Sequence, residues 1–390
     1  MRQQRSTLFT ILIMVATLNL VFLTSCGKAE KESEKKAEEP KIIEIGVIGP
    51  LTGEGATYGQ AMKMGIEIAI EKINETSPFK FKALYRDSKL TPKDAIGAFN
   101  YLVNSEKVPV ILGAAGSSIS LSMLPFANEK KVILFSSIST ADNLSIENDY
   151  FFRNIPPNKN QAKTAAEFLK NKLQKETVTI FYENNDYGLN MDKIFTGFFT
   201  GVGGKIVDSI AYESGQTDFK SLLAKIKQNE PDAIFIPGTY QEVAIIIKQA
   251  REMGIKSTLI SGDGAYSPEV INIAGEAAEG FYCTLMGLPD VESNLELKEF
   301  TETFKKKHNS EPNVYSAYSY DAMRFVHKAF EECLKESQGS CSGEKLNGIF
   351  YKISYKGIVG DIVFNKFGEV DSPYIIYEIK GGKFTPVKYE

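Results

Sequence analysis

A chain of 390 residues is longer than one hydrophobic core usually organises, so the sequence predicts about two domains. With 43% hydrophobic and 24% charged residues, the composition is that of an ordinary globular protein. The net charge of -4 comes from 45 basic and 49 acidic residues that are interleaved along the chain, and no basic stripe stands ready to neutralise phosphates, which argues against a nucleic-acid partner.

The first 25 residues have the pattern of a secretory signal. Arg2 and Arg5 precede an apolar run, 8–22, that is short for a membrane span. The segment ends in Leu-Thr-Ser-Cys-Gly, which resembles the lipobox of bacterial lipoproteins, with cleavage before Cys26 and acylation of its thiol; a plain secretory signal is the alternative. Residues 26–40 are rich in Lys and Glu without an apolar face, so we expect a flexible tether behind a lipid anchor.

From residue 41 onward, strand and helix patterns alternate along the chain. Apolar runs predict strands at 42–48, 79–85, 108–112 and 132–135, with helices at 58–73, at 91–104 and from near Leu121 to Ala127. A second series has strands at 177–182, 205–211, 233–236 and 258–260 and helices at 158–173, 189–200, 219–228 and 241–253. Such alternation predicts an α/β fold of two lobes, because right-handed crossovers turn each series into a parallel central sheet.

The last hundred residues have a mainly helical pattern. Helices are predicted at 295–307, 314–335 and 345–353. Two closing strands are predicted at 361–365 and 374–379, with a turn at 367–369 between them. The alternating pattern of the second of these strands predicts a position at the edge of a sheet.

One order of predicted strands, loops and helices occurs twice in the sequence, and it indicates a candidate site. The order strand, small-residue loop, helix, strand, serine-containing loop describes 110–140, and it also fits 234–264. Ligands of parallel sheets bind at the carboxyl ends of the strands. The loops of both series therefore predict a cleft between two facing sheet edges.

The polar residues in these loops suit a small amphoteric ligand. The stretch Gly-Ala-Ala-Gly-Ser-Ser at 113–118 leads a strand towards a helix N-terminus, where free N–H groups favour an anion. Ser117 and Ser118, with Ser139 and Thr140 from the next loop, suit a carboxylate and one hydrogen of an ammonium, although simple helix capping is the alternative. Asp263 in Ser-Gly-Asp-Gly suits the ammonium, or else forms only an Asp-Gly turn. Aromatic walls for a side chain are available from Tyr58, Tyr187, Tyr240 and Tyr315.

Catalytic and metal-binding motifs are missing from the sequence. The two histidines, His308 and His327, belong to no metal-type cluster, and we expect both on polar helix surfaces. There is no phosphate-binding GxxxxGK[ST] motif. We therefore expect that the protein has no cofactor and is not an enzyme. A hydrolase that uses a pair of Asp or Glu side chains stays an alternative, because such a pair has no sequence signature.

Three cysteines follow Cys26. Cys333 ends a helical pattern and Cys341 lies in a Gly/Ser loop, so an oxidising compartment could join them or leave both free. Cys283 lies in an apolar strand-like run, which is typical of a buried structural thiol.

A set of short motifs carries a resemblance to a known family. They are the segments 45–53 (Ile-Gly-Val-Ile-Gly-Pro-Leu-Thr-Gly) with Tyr58-Gly59, 85–87 (Tyr-Arg-Asp) with Pro92, 113–118, 184–188 (Asn-Asn-Asp-Tyr-Gly), 218–219, 249–251 with Gly254, and 273–280. In order and spacing, the mature chain resembles the branched-chain amino-acid-binding family of type I periplasmic binding proteins, the substrate-binding subunits of ABC transporters.

This resemblance implies roles for individual residues. Ser117 resembles the serine that holds the ligand carboxylate, and Ile138 and Thr140 resemble the pair that binds carboxylate and ammonium. Asp263 resembles the acid that faces the ammonium from the opposite lobe. The pocket-lining aromatic residues of the family match Tyr58, Tyr187 and Tyr315. One departure from the family is that Thr239 stands where leucine-type binders often have a tyrosine, with Tyr240 one place later, so the alignment here leaves both residues as candidates.

The resemblance also implies the architecture and the partners. It implies two Rossmann-like lobes joined by a three-strand hinge, with crossings near Pro157, Leu288 and Asp371; the N-terminal lobe is then 41–157 plus 289–371, and the C-terminal lobe is 158–288 plus 372–390. The expected protein is a monomeric, extracytoplasmic, lipid-anchored receptor that passes an aliphatic amino acid to an ABC permease. The alternative is a surface sensor of the same fold that binds an amide, urea or aromatic acid.

Overall fold

The computed structural model describes residues 40–336 and 340–388. The predicted signal segment, Cys26 and the tether up to residue 39 lie outside the described residues, so they stay predictions.

The first half of the chain forms a parallel sheet of five strands. The strands are β1 (Ile42–Gly49), β2 (Lys80–Asp87), β3 (Val110–Gly113), β4 (Ile133–Ser136) and β5 (Phe151–Arg153), in the order β2-β1-β3-β4-β5. β1, β3 and β4 are buried almost throughout, because helices cover both faces of the sheet. The predicted strands are confirmed, and β5 was not predicted.

Three helices connect these strands. They are α1 (Ala56–Thr76), α2 (Pro92–Asn104) and α3 (Ser117–Lys130). α2 begins as predicted, because the Thr91 side chain accepts a hydrogen bond from the Asp94 N–H and Pro92 follows the cap. α3 begins at Ser117 and not near Leu121, so that prediction was wrong: Gly116, at φ 97°, turns the chain directly into the helix, and the polar first turn hides the apolar periodicity.

A second sheet of seven strands forms the other half of the molecule. Its strands are β6 (Thr177–Glu183), β7 (Lys205–Tyr212), β8 (Ala233–Phe235), β9 (Thr258–Ser261), β10 (Tyr282–Met286), β13 (Tyr374–Lys380) and β14 (Lys383–Pro386), in the order β14-β13-β10-β9-β8-β6-β7. The first five are mutually parallel, whereas β13 and β14 are antiparallel additions. Its helices are α4 (Asn158–Glu167, extended by a π-turn at Phe168–Lys172), α5 (Asp186–Gly201), α6 (Lys220–Asn229), α7 (Tyr240–Glu252) and the short α8 (Pro268–Ala274).

Both closing strands are confirmed, but the predicted edge position of the second one was wrong. The strand at Asp361–Val363, β12, pairs with β11 (Ser354–Lys356) in a separate ribbon and not with β13. β13 is not an edge strand, because β14 covers it through a two-glycine turn at 381–382. That Gly-Gly pair is a hairpin signal in the sequence.

The last helices return to the first sheet. α9 (Leu295–His308), α10 (Val314–Glu336) and α11 (Gly343–Phe350) contribute apolar side chains to the core under β1, β3 and β4, and α10 packs along α1. We call the five-stranded sheet with α1–α3 and α9–α11 the N-terminal lobe, and the seven-stranded sheet with α4–α8 the C-terminal lobe. The chain passes between them after β5, after β10 and before β13, as the three predicted crossings require; the exact lobe boundaries stay a prediction.

Cysteine and histidine side chains add local detail. Cys333 and Cys341 form a disulfide with Cα atoms 6.0 Å apart, and Cys283 is a buried free thiol. The prediction of surface histidines was wrong for both residues: His327 is half-buried, lies 3.2 Å from the Ser77 hydroxyl and packs against Phe79, and His308 is half-buried with its ring packed against Phe304. The side of α10 that carries His327 covers the end of β2, and this packing is not visible in a helical pattern alone.

Candidate ligand-binding cleft

A cleft of about 370 Å³ lies where the carboxyl ends of the two sheets face each other. This volume falls in the range typical of small-molecule sites, roughly 300–1,000 Å³. The N-terminal lobe contributes Glu54, Gly55, Tyr58, Lys89, Leu90, Thr91, Pro92, Gly116, Ser117, Ser118, Ile119, Ile138, Thr140 and Tyr315. The C-terminal lobe contributes Glu183, Asn185, Tyr187, Ser214, Gly238, Thr239, Gln241, Glu242, Asp263 and Gly264.

The N-terminal lobe offers an anion-binding corner at the start of α3. The Ser117 hydroxyl oxygen accepts a hydrogen bond from the Ala141 N–H at 3.1 Å, which leaves the hydroxyl hydrogen free to be donated. The first N–H groups of α3 have no acceptor within the helix, and the helix dipole makes this end positive. A carboxylate placed here meets donors of the backbone and of Ser117.

The loop after β4 supplies the other half of this corner. Ser136 shapes the loop, because its hydroxyl oxygen accepts from the N–H groups of Ile138 (3.2 Å) and Ser139 (2.9 Å) and donates to the Ala114 carbonyl (2.7 Å). The Ile138 N–H is thus occupied, and its carbonyl is the group suited to a ligand ammonium. Thr140 lines the same side of the cleft.

Two of the predicted site residues support the cleft from behind. The Ser139 hydroxyl turns inward to the Ala114 carbonyl (3.1 Å) and to the Ser120 hydroxyl (2.8 Å). Tyr240 packs edge-on against Tyr58, with ring centroids 5.2 Å apart. Neither is on the cleft surface, because successive residues of a loop or helix start point in different directions; of the pair at 239 and 240, the structure places Thr239 on the surface.

Asp263 is the acid of the opposite wall. Its side chain is only 3% exposed, and its Oδ1 accepts hydrogen bonds from Gln161 (2.9 Å) and from the Tyr187 hydroxyl (3.0 Å). Burial raises the pKa of Asp263 to about 6, although both of these hydrogen bonds favour the ionised form. No cationic side chain forms a salt bridge with Asp263 in the described part of the chain, so a bound ammonium would relieve its desolvation.

Gln161 is a site residue that sequence reasoning missed. It lies on α4, fully buried, and joins the Asp263 side chain, the Asp263 N–H (3.0 Å) and the Thr284 hydroxyl (2.9 Å). A glutamine in a polar helical first turn carries no local signal of this role.

Tyrosines connect the two lobes across the cleft. The Tyr315 hydroxyl donates to the Asp263 carbonyl at 2.8 Å, and the Tyr58 hydroxyl donates to the Gly264 carbonyl. Burial raises the pKa of both tyrosines well above 10, so both remain neutral donors. Ser118 adds a third bridge, because its hydroxyl oxygen accepts from the Asp186 N–H at 3.0 Å. The lobes are therefore in direct contact around the site, as in a closed receptor.

A second polar corner contains two glutamates that the sequence did not single out. Glu183 ends β6 and Glu242 lies in the first turn of α7; they are 2% and 4% exposed. The Thr239 hydroxyl lies 2.8 Å from Glu183 Oε2 and 2.7 Å from Glu242 Oε2. Burial raises the pKa of Glu183, and the charge of Glu242 adds to this shift. Glu183 and Glu242 are far apart in the sequence, so no local sequence pattern indicates that they form a pair.

Two further properties concern the whole described part of the chain. Within residues 40–336 and 340–388, no group of three or more His, Cys, Asp or Glu side chains is arranged to hold a metal ion. Within the same ranges, none of the helices combines the length and apolarity that a membrane crossing needs.

Comparison with known proteins agrees with this architecture. Residues 42–383 match the family described as periplasmic binding protein, so the chain belongs to that family. Together with the relatives below, this match makes the chain a type I periplasmic binding protein of the branched-chain amino-acid-binding group, and the resemblance seen in the sequence is confirmed.

Individual relatives span nearly the whole chain. The Leu/Ile/Val-binding protein homolog 2 of Brucella abortus is 27% identical over 89% of this chain and 93% of its own. A leucine-binding protein from Thermotoga maritima has a TM-score of 0.83 and 30% identity, covering 89% of this chain and 98% of its own. The branched-chain amino acid transporter substrate-binding protein from Streptococcus pneumoniae, in complex with isoleucine, has a TM-score of 0.81 and 27% identity, covering 90% and 100%.

Proposed function

We propose that this protein is an extracytoplasmic, lipid-anchored receptor of an ABC transporter, which captures an α-amino acid with an aliphatic side chain and delivers it to a permease. One observation carries the proposal: a donor-rich corner at Ser117 faces the buried Asp263 across one cleft, and Asp263 has no salt-bridge partner among the described residues. That arrangement is complementary to the carboxylate and ammonium of a zwitterion.

Each end of the zwitterion has a defined partner. The carboxylate accepts the Ser117 hydroxyl hydrogen and N–H groups at the start of α3. The ammonium donates to Asp263, to the Ile138 carbonyl and to the Thr140 hydroxyl. The aliphatic side chain lies against apolar groups of the N-terminal lobe and the rings of Tyr58 and Tyr315; the apolar residues available are Leu90, Pro92, Ile119 and Ile138.

Closure of the lobes links capture to delivery. The bridges from Tyr58 to Gly264, from Tyr315 to Asp263 and from Ser118 to Asp186 join residues of opposite lobes, so they exist only when the lobes meet. Closure removes water from the ion pair and strengthens it. It also creates a shape that a permease can distinguish from the open receptor.

Three finer points belong to this proposal. The lipobox-like segment at 23–27 supports a lipid anchor at Cys26 outside the cytoplasm. Membership of a family of binding proteins supports a receptor and not an enzyme. The relatives that bind leucine or isoleucine support an aliphatic ligand.

The test is calorimetric titration of the purified protein with each of the common amino acids. We expect 1:1 binding of one or more aliphatic amino acids, and a protein that binds none of the twenty would contradict the proposal.

Mass spectrometry of any ligand that copurifies should show an unmodified amino acid, whereas a hydrolase would release a product. A gene neighbourhood that encodes a permease and ATPases would support delivery, and its absence would favour a sensor.

A further inference from the structure

The corner at Thr239, Glu183 and Glu242 is not used by the ligand contacts proposed so far. All three residues line the cleft. Glu183 Oε1 accepts from the Ser214 hydroxyl (2.5 Å), Glu183 Oε2 accepts from the Thr239 N–H (2.8 Å), and Glu242 Oε1 accepts from the Gly215 N–H (2.8 Å). These bonds hold both carboxyl groups in fixed positions.

The corner has one hydrogen-bond donor too few for its carboxylate oxygens. The Thr239 hydroxyl lies between two carboxylate oxygens but has one hydrogen, so it can donate to only one of them. No lysine, arginine or histidine forms a salt bridge with Glu183 or Glu242 in the described part of the chain. Two buried carboxylates therefore share too few donors, and an added cation or strong donor would stabilise both.

A buried hydroxyl independently marks the same place. Tyr212 is 1% exposed, and its hydroxyl has no hydrogen-bond partner in the described part of the chain. The hydroxyl points at Gly238 in the cleft floor, so closely that a Cβ on Gly238 would lie 1.7 Å from it and 3.5 Å from the Glu183 Cβ. An unpartnered hydroxyl, which can accept or donate a hydrogen bond, thus stands close to Glu183, and only glycine at 238 permits this approach.

The position of the corner relative to Asp263 determines the length of a ligand that reaches both. Ile180, Phe235 and Ile260 are paired across β6, β8 and β9, and Glu183, Gly238 and Asp263 each lie three residues beyond the paired residue of their own strand. Glu183 and Asp263 therefore start two strand spacings apart, roughly 10 Å. Because this spacing separates the two backbone positions, a ligand that contacts both carboxylates must carry its two cationic groups at opposite ends of a short methylene chain.

We propose that the corner formed by Thr239, Glu183 and Glu242 is a second cation subsite, and that the receptor takes α-amino acids whose aliphatic chain ends in a cation, that is, diamino acids such as ornithine or lysine. This inference rests on the proposed function, because Ser117 and Asp263 still hold the α-carboxylate and α-ammonium. The apolar wall then covers the methylenes. An organic cation fits better than a metal ion, since no metal-type cluster is present among the described residues.

Matched ligand pairs test the charge at the end of the side chain. The purified protein is titrated calorimetrically with lysine and norleucine, and with ornithine and norvaline, in which only the terminal ammonium differs. Each diamino acid should bind at least about tenfold tighter than its hydrocarbon partner, as expected for a buried charge-assisted contact. Tighter binding of norleucine and norvaline would overturn the inference.

Matched variants test the corner itself. Glu242→Gln keeps the shape of the side chain, and Thr239→Val removes only the hydroxyl; each should weaken lysine or ornithine by roughly tenfold while norleucine changes less than about twofold. Glu252→Gln, an exposed residue at the end of the same helix, should change neither. Thermal unfolding of each variant establishes that it is folded, and Glu183→Gln replaces any variant that is not.

The outcomes separate this inference from the proposed function. Binding of leucine or norleucine without binding of either diamino acid keeps the proposed function and overturns the second subsite. Binding of diamino acids that is insensitive to both Glu242→Gln and Thr239→Val also overturns it. Failure of every α-amino acid to bind refutes the proposed function itself.

Discussion

Asp263→Asn should stabilise the ligand-free protein while abolishing tight binding. Burial raises the pKa of Asp263 to about 6 from its ordinary value of 3.8, so the folded protein bears the cost of an ionised, desolvated carboxylate at neutral pH. At about 1.4 kcal/mol per pKa unit, this cost is roughly 3 kcal/mol. Asparagine keeps an oxygen for the bonds from Gln161 and Tyr187 but carries no charge.

The stability difference between the Asp263→Asn variant and the wild type should depend on pH. The folded-state pKa is raised, so the cost is complete above about pH 6 and fades as the pH falls towards 3.8. The variant should therefore melt about 4 °C higher than the wild type at pH 7.5, given an unfolding entropy of roughly 2 cal/mol/K per residue over roughly 350 residues. The difference should disappear near pH 4.

Thermal unfolding and calorimetry together check the reasoning. Unfolding of both proteins is followed between pH 4 and pH 7.5 without ligand, and affinity for the amino acid is measured at pH 7.5. The variant should lose about a hundredfold or more in affinity, because a charge-assisted contact becomes a neutral one. A variant that is less stable than the wild type at pH 7.5, or a stability difference that does not shrink in acid, would refute desolvation of Asp263 as the cause.

Three other predictions follow from the same structure. Ser117→Ala should weaken ligand binding by about tenfold in calorimetry, because it removes a donor to the carboxylate; Ser122→Ala, on the same helix outside the cleft, is the control and should bind normally. Wild-type affinity should be constant above pH 6 and fall by about tenfold per pH unit below it, as protonation of Asp263 removes the charge that the ammonium needs; a flat profile down to pH 4.5 would contradict this. Arg153→Met should cost roughly 1–3 kcal/mol in urea unfolding, because Arg153 and Glu369 form a 2.6 Å ion pair in which both side chains are 1% exposed, and the variant leaves Glu369 with the half-exposed Lys159 at 3.1 Å as its cationic partner; a cost below about 1 kcal/mol would count against this pair as a stabilising contact.

Local patterns were sufficient for most of the secondary structure. The alternation of buried runs and helical spacings predicted the parallel strands and the helices between them, because apolar periodicity is set by which face of an element is buried. Errors fell where the pattern is polar or short: α3 starts at Ser117, and β5 spans only Phe151–Arg153. The predicted edge position of β13 was wrong because β14, which covers it, is a four-residue strand with little apolar pattern.

Part of the cleft could be predicted from the sequence. Ser117, Thr140 and Asp263 follow the ends of buried strands, and strand ends of a parallel sheet meet at one edge, so their convergence could be inferred. Ser139 and Tyr240 show the limit of this reasoning, because residues that are adjacent in sequence face different directions once the loop is folded.

The sequence by itself determined the class of the protein, a two-lobed α/β periplasmic binding protein, and it predicted that the strand-end loops carry a serine suited to a carboxylate and an acid suited to an ammonium. These features are local, since each depends on a periodicity or on a residue that directly follows a strand. Only the tertiary structure decided that Gln161 supports Asp263 and that Glu183, Thr239 and Glu242 form a second acidic corner. The reason is physical: these contacts join residues from different elements, and their pKa shifts arise from burial, which no stretch of sequence specifies alone.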